Sequence, residues 1–348
     1  MLKQMGIVFC TTLAMTGCGP QVTRIDAGGS TFIDPIMQKW AALYRKQHGT
    51  EIDYIKKGSG YGIQQMTEKN FAFGCSDAPM SRAELEKATA TGGPVLHIPL
   101  TMGAVAVVYN LPEIAAPLRL SGTVLADIFL RRTTKWNDPA IVVLNPGVTL
   151  PDAPISTVVR AESSGTTSVF TEYLNKVSSS YPAEMVSKKP RWPSGTIAQE
   201  GSYGVTSHVK ANRYCIGFVE VLYARKNGLQ TALILNAARN FIGPETANVT
   251  AAAAEAIQHK PTELPYTLHN LTYSITNAGG AQSYPIPAIT YAVLYAKLNK
   301  TEGPEIVAFL KWTLTKGQTH SAELEYAPLP IELRARGLEQ LNSVIFDK

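Results

Sequence analysis

The stretch VVRAESSGTTSVFTEYL, Val158 to Leu174, sets an arginine, a glutamate and two serines directly ahead of a glycine and the apolar spacing of a helix. A helix start carries N–H donors without intrahelical partners and a partial positive charge. Two chemistries suit these residues there. In the first, Ser163 or Ser164 caps the helix by accepting from first-turn amides, and Glu162 answers the dipole. In the second, hydroxyls, amides and Arg160 together hold an anion. Two further loops repeat the pattern: GGSTF (Gly28 to Phe32) and GSGYG (Gly58 to Gly62) each place Gly with Ser or Thr between a strand-like run and a helical one. Glycine admits close backbone approach to a ligand, and the hydroxyls donate. One such loop is ordinary capping chemistry. Three in one chain point to loops that converge on an anion at the carboxyl ends of strands.

The elements that must position these loops are legible in the apolar periodicity. RIDAGG precedes Ile33, Ile36, Met37, Trp40, Leu43 and Tyr44, whose spacing lies on one helix face. EIDYIKKGSG leads into YGIQQMTEK, and FAFGCSD leads into SRAELEKATATGG. This threefold strand, loop, helix order predicts an α/β lobe with a largely parallel sheet. The chain is expected to cross into a second unit at VLHIPLTMGAVAVVYNL and to return around LTYSITNAGGAQSYPIPAITYAVLYA. We therefore expect lobe I from residues 22–100 plus 268–348 and lobe II from residues 101–267. TAAAAEAIQH, GPEIVAFLKWTLTKG and HSAELEYAPLPIELRARGLEQLNSV read as helical, with Gly317 as a C-cap.

Composition bounds the partners. The 348 residues are 45% hydrophobic and 17% charged, ample for two lobes, and the 32 basic and 27 acidic residues are dispersed. A net charge of +5 without a Lys/Arg block argues against nucleic acid and favours small anions mildly. The N-terminus, MLKQMGIVFCTTLAMTGCGP, has Lys3, an apolar stretch from Met5 to Met15, and Thr16-Gly17-Cys18. That is a signal-peptide layout over residues 1–17. Its end resembles a bacterial lipobox, with Met15 where Leu is usual, and the resemblance implies lipid attachment at Cys18; plain secretory cleavage is the alternative. Cys75 and Cys215 are expected as two buried thiols in different lobes. The six histidines are scattered and no C-x-x-C or H-E-x-x-H occurs, so no metal and no cofactor is expected. A secreted serine hydrolase or phosphatase built on Ser164 or Ser59 is the rival from another class. Neither serine, however, lies in a G-x-S-x-G elbow or has a histidine in a partner motif.

From about Arg24 to its C-terminus the chain resembles the periplasmic phosphate-binding proteins, the substrate-binding components of phosphate ABC importers, with the type II periplasmic binding fold. The resemblance rests on GGSTF with the Trp40 helix, GSGYG, FGCSDAPMS, DIFLRRTTKWNDPAIVVLNPG, RAESSGTTSVFTEYL and IGFVEVLYA, in that order. It implies an α/β fold of two lobes, each a mostly parallel sheet flanked by helices, with the ligand in the cleft. It implies that Thr31, Phe32, Ser59, Asp77, Arg160, Ser164, Gly165 and Thr166 hold inorganic phosphate. Glu162, where the family often has Asp, is expected to orient Arg160 and moderate its charge. Ser30, often Ala in the family, stands beside the site, and its hydroxyl is expected to add little. Asp77 is expected to accept the proton that phosphate retains, and its competing role is a cap on the turn before Pro79. The implied activity is binding with hinge closure and delivery to membrane permease subunits, without chemistry on the ligand. Within the binding class the alternatives are another oxyanion, such as sulfate or molybdate, and a phosphate-sensing paralogue.

Overall fold

The computed structural model describes residues 23–258, 265–267 and 270–347. The signal segment and Cys18 lie outside the described residues. The three strand-loop-helix units fold in the expected order as β1 (Arg24–Gly29), α1 (Asp34–His48), β2 (Glu51–Lys56), α2 (Ser59–Thr67), β3 (Phe73–Ser76) and α3 (Arg82–Gly92). β1 runs parallel between β2 and β3, with Ala27 opposite Tyr54 on one side and Phe73 on the other. α1 has Pro35 in its first turn and ends at Gly49, whose φ of 78° suits a left-handed C-cap. Its Ile36, Met37, Trp40 and Tyr44 are buried, as their spacing predicts.

β4 (Val95–Tyr109) has fifteen residues, all buried. At about 3.3 Å per residue such a strand spans ~50 Å, enough to serve two lobes. Further on come β5 (Ser156–Arg160), α4 (Gly165–Val177), β6 (Ile197–Gln199), α5 (Gly201–Ala211), β7 (Cys215–Glu220), α6 (Val221–Asn227), α7 (Thr246–Ala256), β8 (Pro287–Tyr295), α8 (Gly303–Leu314) and α9 (Ile331–Asn342). Residues 95–104 of β4 pair antiparallel with β8, and residues 105–109 pair antiparallel with β7. The strand order is therefore β2-β1-β3-β8-β4-β7-β5-β6, with Gln230–Thr231 added beside β4. The outer strands of each lobe are parallel, and only the strands that cross between lobes break that direction.

Cys75 on β3 and Cys215 on β7 are both buried free thiols, as expected. Gly317 departs from expectation. α8 stops at Leu314 with Thr315 at its end, and Gly317 lies in the 3₁₀ turn Lys316–His320. A Cβ there would meet Trp40 Nε1 at 3.1 Å and the Trp312 ring at 3.2 Å, while the Gly317 carbonyl accepts from that indole at 2.8 Å. Close packing, rather than a left-handed cap, explains this glycine. The helical pattern of HSAELEYAPLP is likewise only a short 3₁₀ turn, Ala322–Leu324; the following Pro328 and Pro330 delay the next helix to Ile331.

Candidate anion site

Each loop with a candidate residue follows the carboxyl end of a parallel strand. Ser30 to Phe32 follow β1, Ser59 follows β2, Asp77 follows β3, and Glu162 to Thr166 follow β5. The twisted sheet turns these ends toward one another, as ligand sites of open α/β sheets require. The structure brings all eight proposed ligand positions, with Ser30 and Glu162, into one cluster.

The first loop is held by its carbonyls. Tyr54 Oη donates to Ser30 O at 2.8 Å, Tyr223 Oη to Thr31 O at 2.9 Å, and Tyr326 Oη to Phe32 O at 2.5 Å. The Phe32 ring is fully buried, edge-on to Tyr326 at 6.3 Å, so only its backbone is available to a ligand. Thr31 does not cap α1. Its hydroxyl pairs instead with Ser202 Oγ at 2.9 Å, 171 positions away.

Ser59 begins α2 without capping it, and its Oγ accepts from Asp77 N at 3.3 Å. The Asp77 carboxylate is 3% exposed and is no turn cap either. It accepts from Ser30 Oγ at 2.5 Å and Thr290 Oγ1 at 2.9 Å on Oδ1, and from Thr166 Oγ1 at 3.1 Å on Oδ2. Burial pushes this carboxyl above its ordinary range; the Ser30 and Thr290 bonds, the Arg160 charge and the Thr166 bond pull it back.

Arg160, at the end of β5, is 4% exposed, so its pairing with Glu162 is not a solvent-exposed one. Glu162 Oε1 accepts from its Nε at 2.7 Å and from its Nη2, and Ser202 Oγ accepts from Nη1 at 3.4 Å. The longer arm of Glu162 also reaches the start of α5, where Oε2 accepts from Gly201 N at 3.2 Å. The guanidinium is thus aimed by a carboxylate that is itself tied to a helix N-terminus. Ser164 does cap α4, accepting from Thr167 N at 3.2 Å. Capping and site membership coexist at that serine.

The two lobes meet across this cluster. Gly60 N donates to Ser163 O at 3.0 Å, and a Cβ on Gly165 would lie 2.5 Å from Ser59 Oγ and 2.7 Å from Asp77 N. Lys188 adds a strap: its carbonyl accepts from Ser164 N at 2.8 Å, and its Nζ donates to Pro79 O at 2.9 Å and Glu84 Oε2 at 2.7 Å. Beside this contact Thr31, Glu162 and Gly201 line a cleft of about 990 Å³ with Lys56, Tyr203 and Tyr223.

Two members of the cluster are absent from the sequence-based set. Ser202 belongs to EGSYG, Glu200 to Gly204, which repeats the Gly/Ser grammar of the other loops and could have been found by it. Thr290 sits inside β8, where nothing local sets it apart. A register shift between Thr290 and Tyr291 accompanies its placement against Asp77. Among the described residues, no group of His, Cys, Asp and Glu is arranged to hold a metal ion.

A family model for the PBP superfamily domain matches residues 16–316. The phosphate-binding protein PstS of Pasteurella multocida is 39% identical over 94% of this chain and 91% of its own. The protein of the same name from Methanocaldococcus jannaschii is 34% identical over 93% and 87%. Among solved structures, a high affinity periplasmic phosphate-binding protein bound with phosphate matches with a TM-score of 0.73 at 20% identity, covering 94% of this chain and all of its own. A phosphate-binding protein from Stenotrophomonas maltophilia matches with a TM-score of 0.67 at 21% identity, covering 91% and 94%. These two share the fold, while the curated relatives extend the likeness to sequence over nearly the whole chain. The chain belongs to the PBP superfamily, within the family of the phosphate-binding proteins PstS.

Proposed function

We propose that this chain binds inorganic phosphate outside the cytoplasmic membrane and passes it to the permease subunits of an ABC importer. The observation that carries the reading is the composition of the buried cluster: hydroxyls and helix-start amides in excess, one guanidinium, and one carboxylate with acceptor capacity. A dehydrated dianion needs many donors, and a carboxylate among them suits only an anion that still has a proton. Thr31, Ser59, Arg160 and Ser164 supply side-chain donors, Gly165 and Thr166 supply backbone N–H groups at the start of α4, Phe32 completes the first loop with an N–H shared with Ser30 Oγ, and Asp77 accepts.

The reading includes no chemistry on the ligand. Ser164 Oγ is engaged as a cap and Ser59 Oγ with Asp77 N, and neither bonds a histidine among the described residues, which supports binding over hydrolysis. It also includes export to the periplasm with lipid attachment at Cys18, so that the protein is held at the membrane by an acyl anchor. Among the described residues no helix is long and apolar enough to cross a membrane. The division into lobe I (22–100 plus 268–348) and lobe II (101–267) is part of the proposal; the change of partner between residues 104 and 105 of β4 supports a crossing on that strand.

Calorimetric titration of the purified mature chain with phosphate, arsenate and sulfate tests the reading. One phosphate per chain, arsenate in competition and sulfate excluded at pH 8 are expected. Sulfate or molybdate binding in preference to phosphate would reassign the site to another oxyanion.

A further inference from the structure

An ionised carboxylate offers about four acceptor positions, two on each oxygen. On Asp77, Ser30 and Thr290 fill the two on Oδ1, at 2.5 and 2.9 Å. Thr166 takes one on Oδ2 at 3.1 Å. The remaining position is also on Oδ2, the oxygen turned to the start of α4. The direction of the Ser30 hydroxyl is itself determined, because Ser30 Oγ accepts from Phe32 N at 3.0 Å and so directs its hydrogen to Asp77. Both Ser30 and Thr290 are buried, at 1% and 0% exposure, so no solvent competes for either bond. Both bonds are stronger to a charged oxygen than to the carbonyl oxygen of a neutral acid, so these donors favour the ionised form.

We propose that Ser30 and Thr290 are specificity-determining positioning residues: their hydroxyls hold the Asp77 carboxylate ionised and turn its remaining acceptor position to the oxyanion, which excludes any oxyanion without a proton. The proposal rests on the phosphate reading and extends it to residues that need not touch the ligand. If Asp77 were protonated it would donate to sulfate as readily as to phosphate, and discrimination would be lost. Burial favours that protonated form, and the two hydroxyls oppose it. The charged and titratable groups acting around Asp77 are Arg160 from β5, Glu220 from β7, Cys75 from β3, and Tyr54, Tyr223 and Tyr326. Burial pushes the thiol and the three phenols further up from values already alkaline, so they stay neutral between pH 5 and 8. Glu220 is buried and pushed above the carboxylate range by burial, so it is the one neighbour that needs a control.

The test is titration of the full mature chain with phosphate and, separately, with sulfate from pH 5 to 8, for wild type, Ser30→Ala, Thr290→Val, Thr290→Ser and Glu220→Gln. In wild type sulfate gains affinity only toward the acid end. In Ser30→Ala and in Thr290→Val that gain is expected about one pH unit higher, the size of one hydrogen bond to a charged group. The doubly substituted chain should move further, and Thr290→Ser should restore the wild-type profile. Equal weakening of both anions with an unmoved profile would make the two residues merely structural and overturn the proposal. So would a profile that moves with Glu220→Gln alone. Failure of wild type to bind phosphate at pH 8 would instead overturn the function on which the proposal rests.

Discussion

In the proposed reading selectivity turns on Asp77, because it is an acceptor where an anion site otherwise presents donors. An acceptor oxygen facing an acceptor carboxylate, both out of water, costs several kcal/mol, on the order of an unpaired buried charge. Asp77→Asn keeps the shape and provides an amide that can donate. We expect sulfate to gain at least tenfold against phosphate in this variant, about 1.4 kcal/mol in relative affinity. Paired titrations at one pH and salt concentration measure it, and a ratio equal to wild type would move the discrimination elsewhere. Arg160 contributes the single strong positive charge, and Glu162, bonded to both the guanidinium and Gly201 N, holds it in one orientation. A lysine could not reproduce that fork.

At the scale of elements, the helix starts combine support with recognition. α4 is capped by Ser164 and yet presents its first turn to Ser59 and Asp77 across the cleft. Gly165 is a point of close approach. In Gly165→Ala the added methyl would overlap Ser59 Oγ and Asp77 N, an overpacking of about 1–3 kcal/mol that applies only when the lobes are together. Phosphate affinity should therefore fall about tenfold or more while the thermal midpoint of the ligand-free protein changes little. Titration and thermal unfolding of the same sample separate the two, and wild-type affinity in the variant would mean that the contact is not made in the bound state.

For the whole molecule, the continuous strand β4 and its partner β8 join lobes that also meet at the cleft. Lys188 fastens the loop that caps α4 to Pro79 and Glu84 on the other lobe, with its side chain only 10% exposed. We expect saturating phosphate to contract the protein in small-angle scattering, because ligand contacts from both lobes favour the closed arrangement. Lys188→Ala should weaken that arrangement by about 1 kcal/mol, seen as roughly fivefold faster phosphate release and a larger ligand-free radius. Release kinetics and dimensions unchanged from wild type would show that Lys188 is no strap. The pair is partly open to water at Glu84, which limits its strength.

The sequence by itself determined the local pieces. The βαβαβα start follows from apolar periodicity, the anion-suited loops from Gly next to Ser or Thr ahead of helices, and Arg160 and Asp77 from motifs in family order. Such features are encoded within a few residues, where propensity and spacing act directly. The C-terminal region was less legible, since the 3₁₀ turns around Gly317 and Leu324 answer to Trp40 and to prolines rather than to helix spacing. Only the tertiary structure decided what each hydroxyl faces. Thr31 and Ser59 look like caps in sequence but reach Ser202 and Asp77 instead. Thr290 is one β-residue among many until β8 lies beside β3 and presents it to a carboxylate 213 positions away. Hydrogen bonds over such separations depend on strand order and lobe contact, which no local pattern specifies; that is why the donors around Asp77 become visible only in the folded molecule.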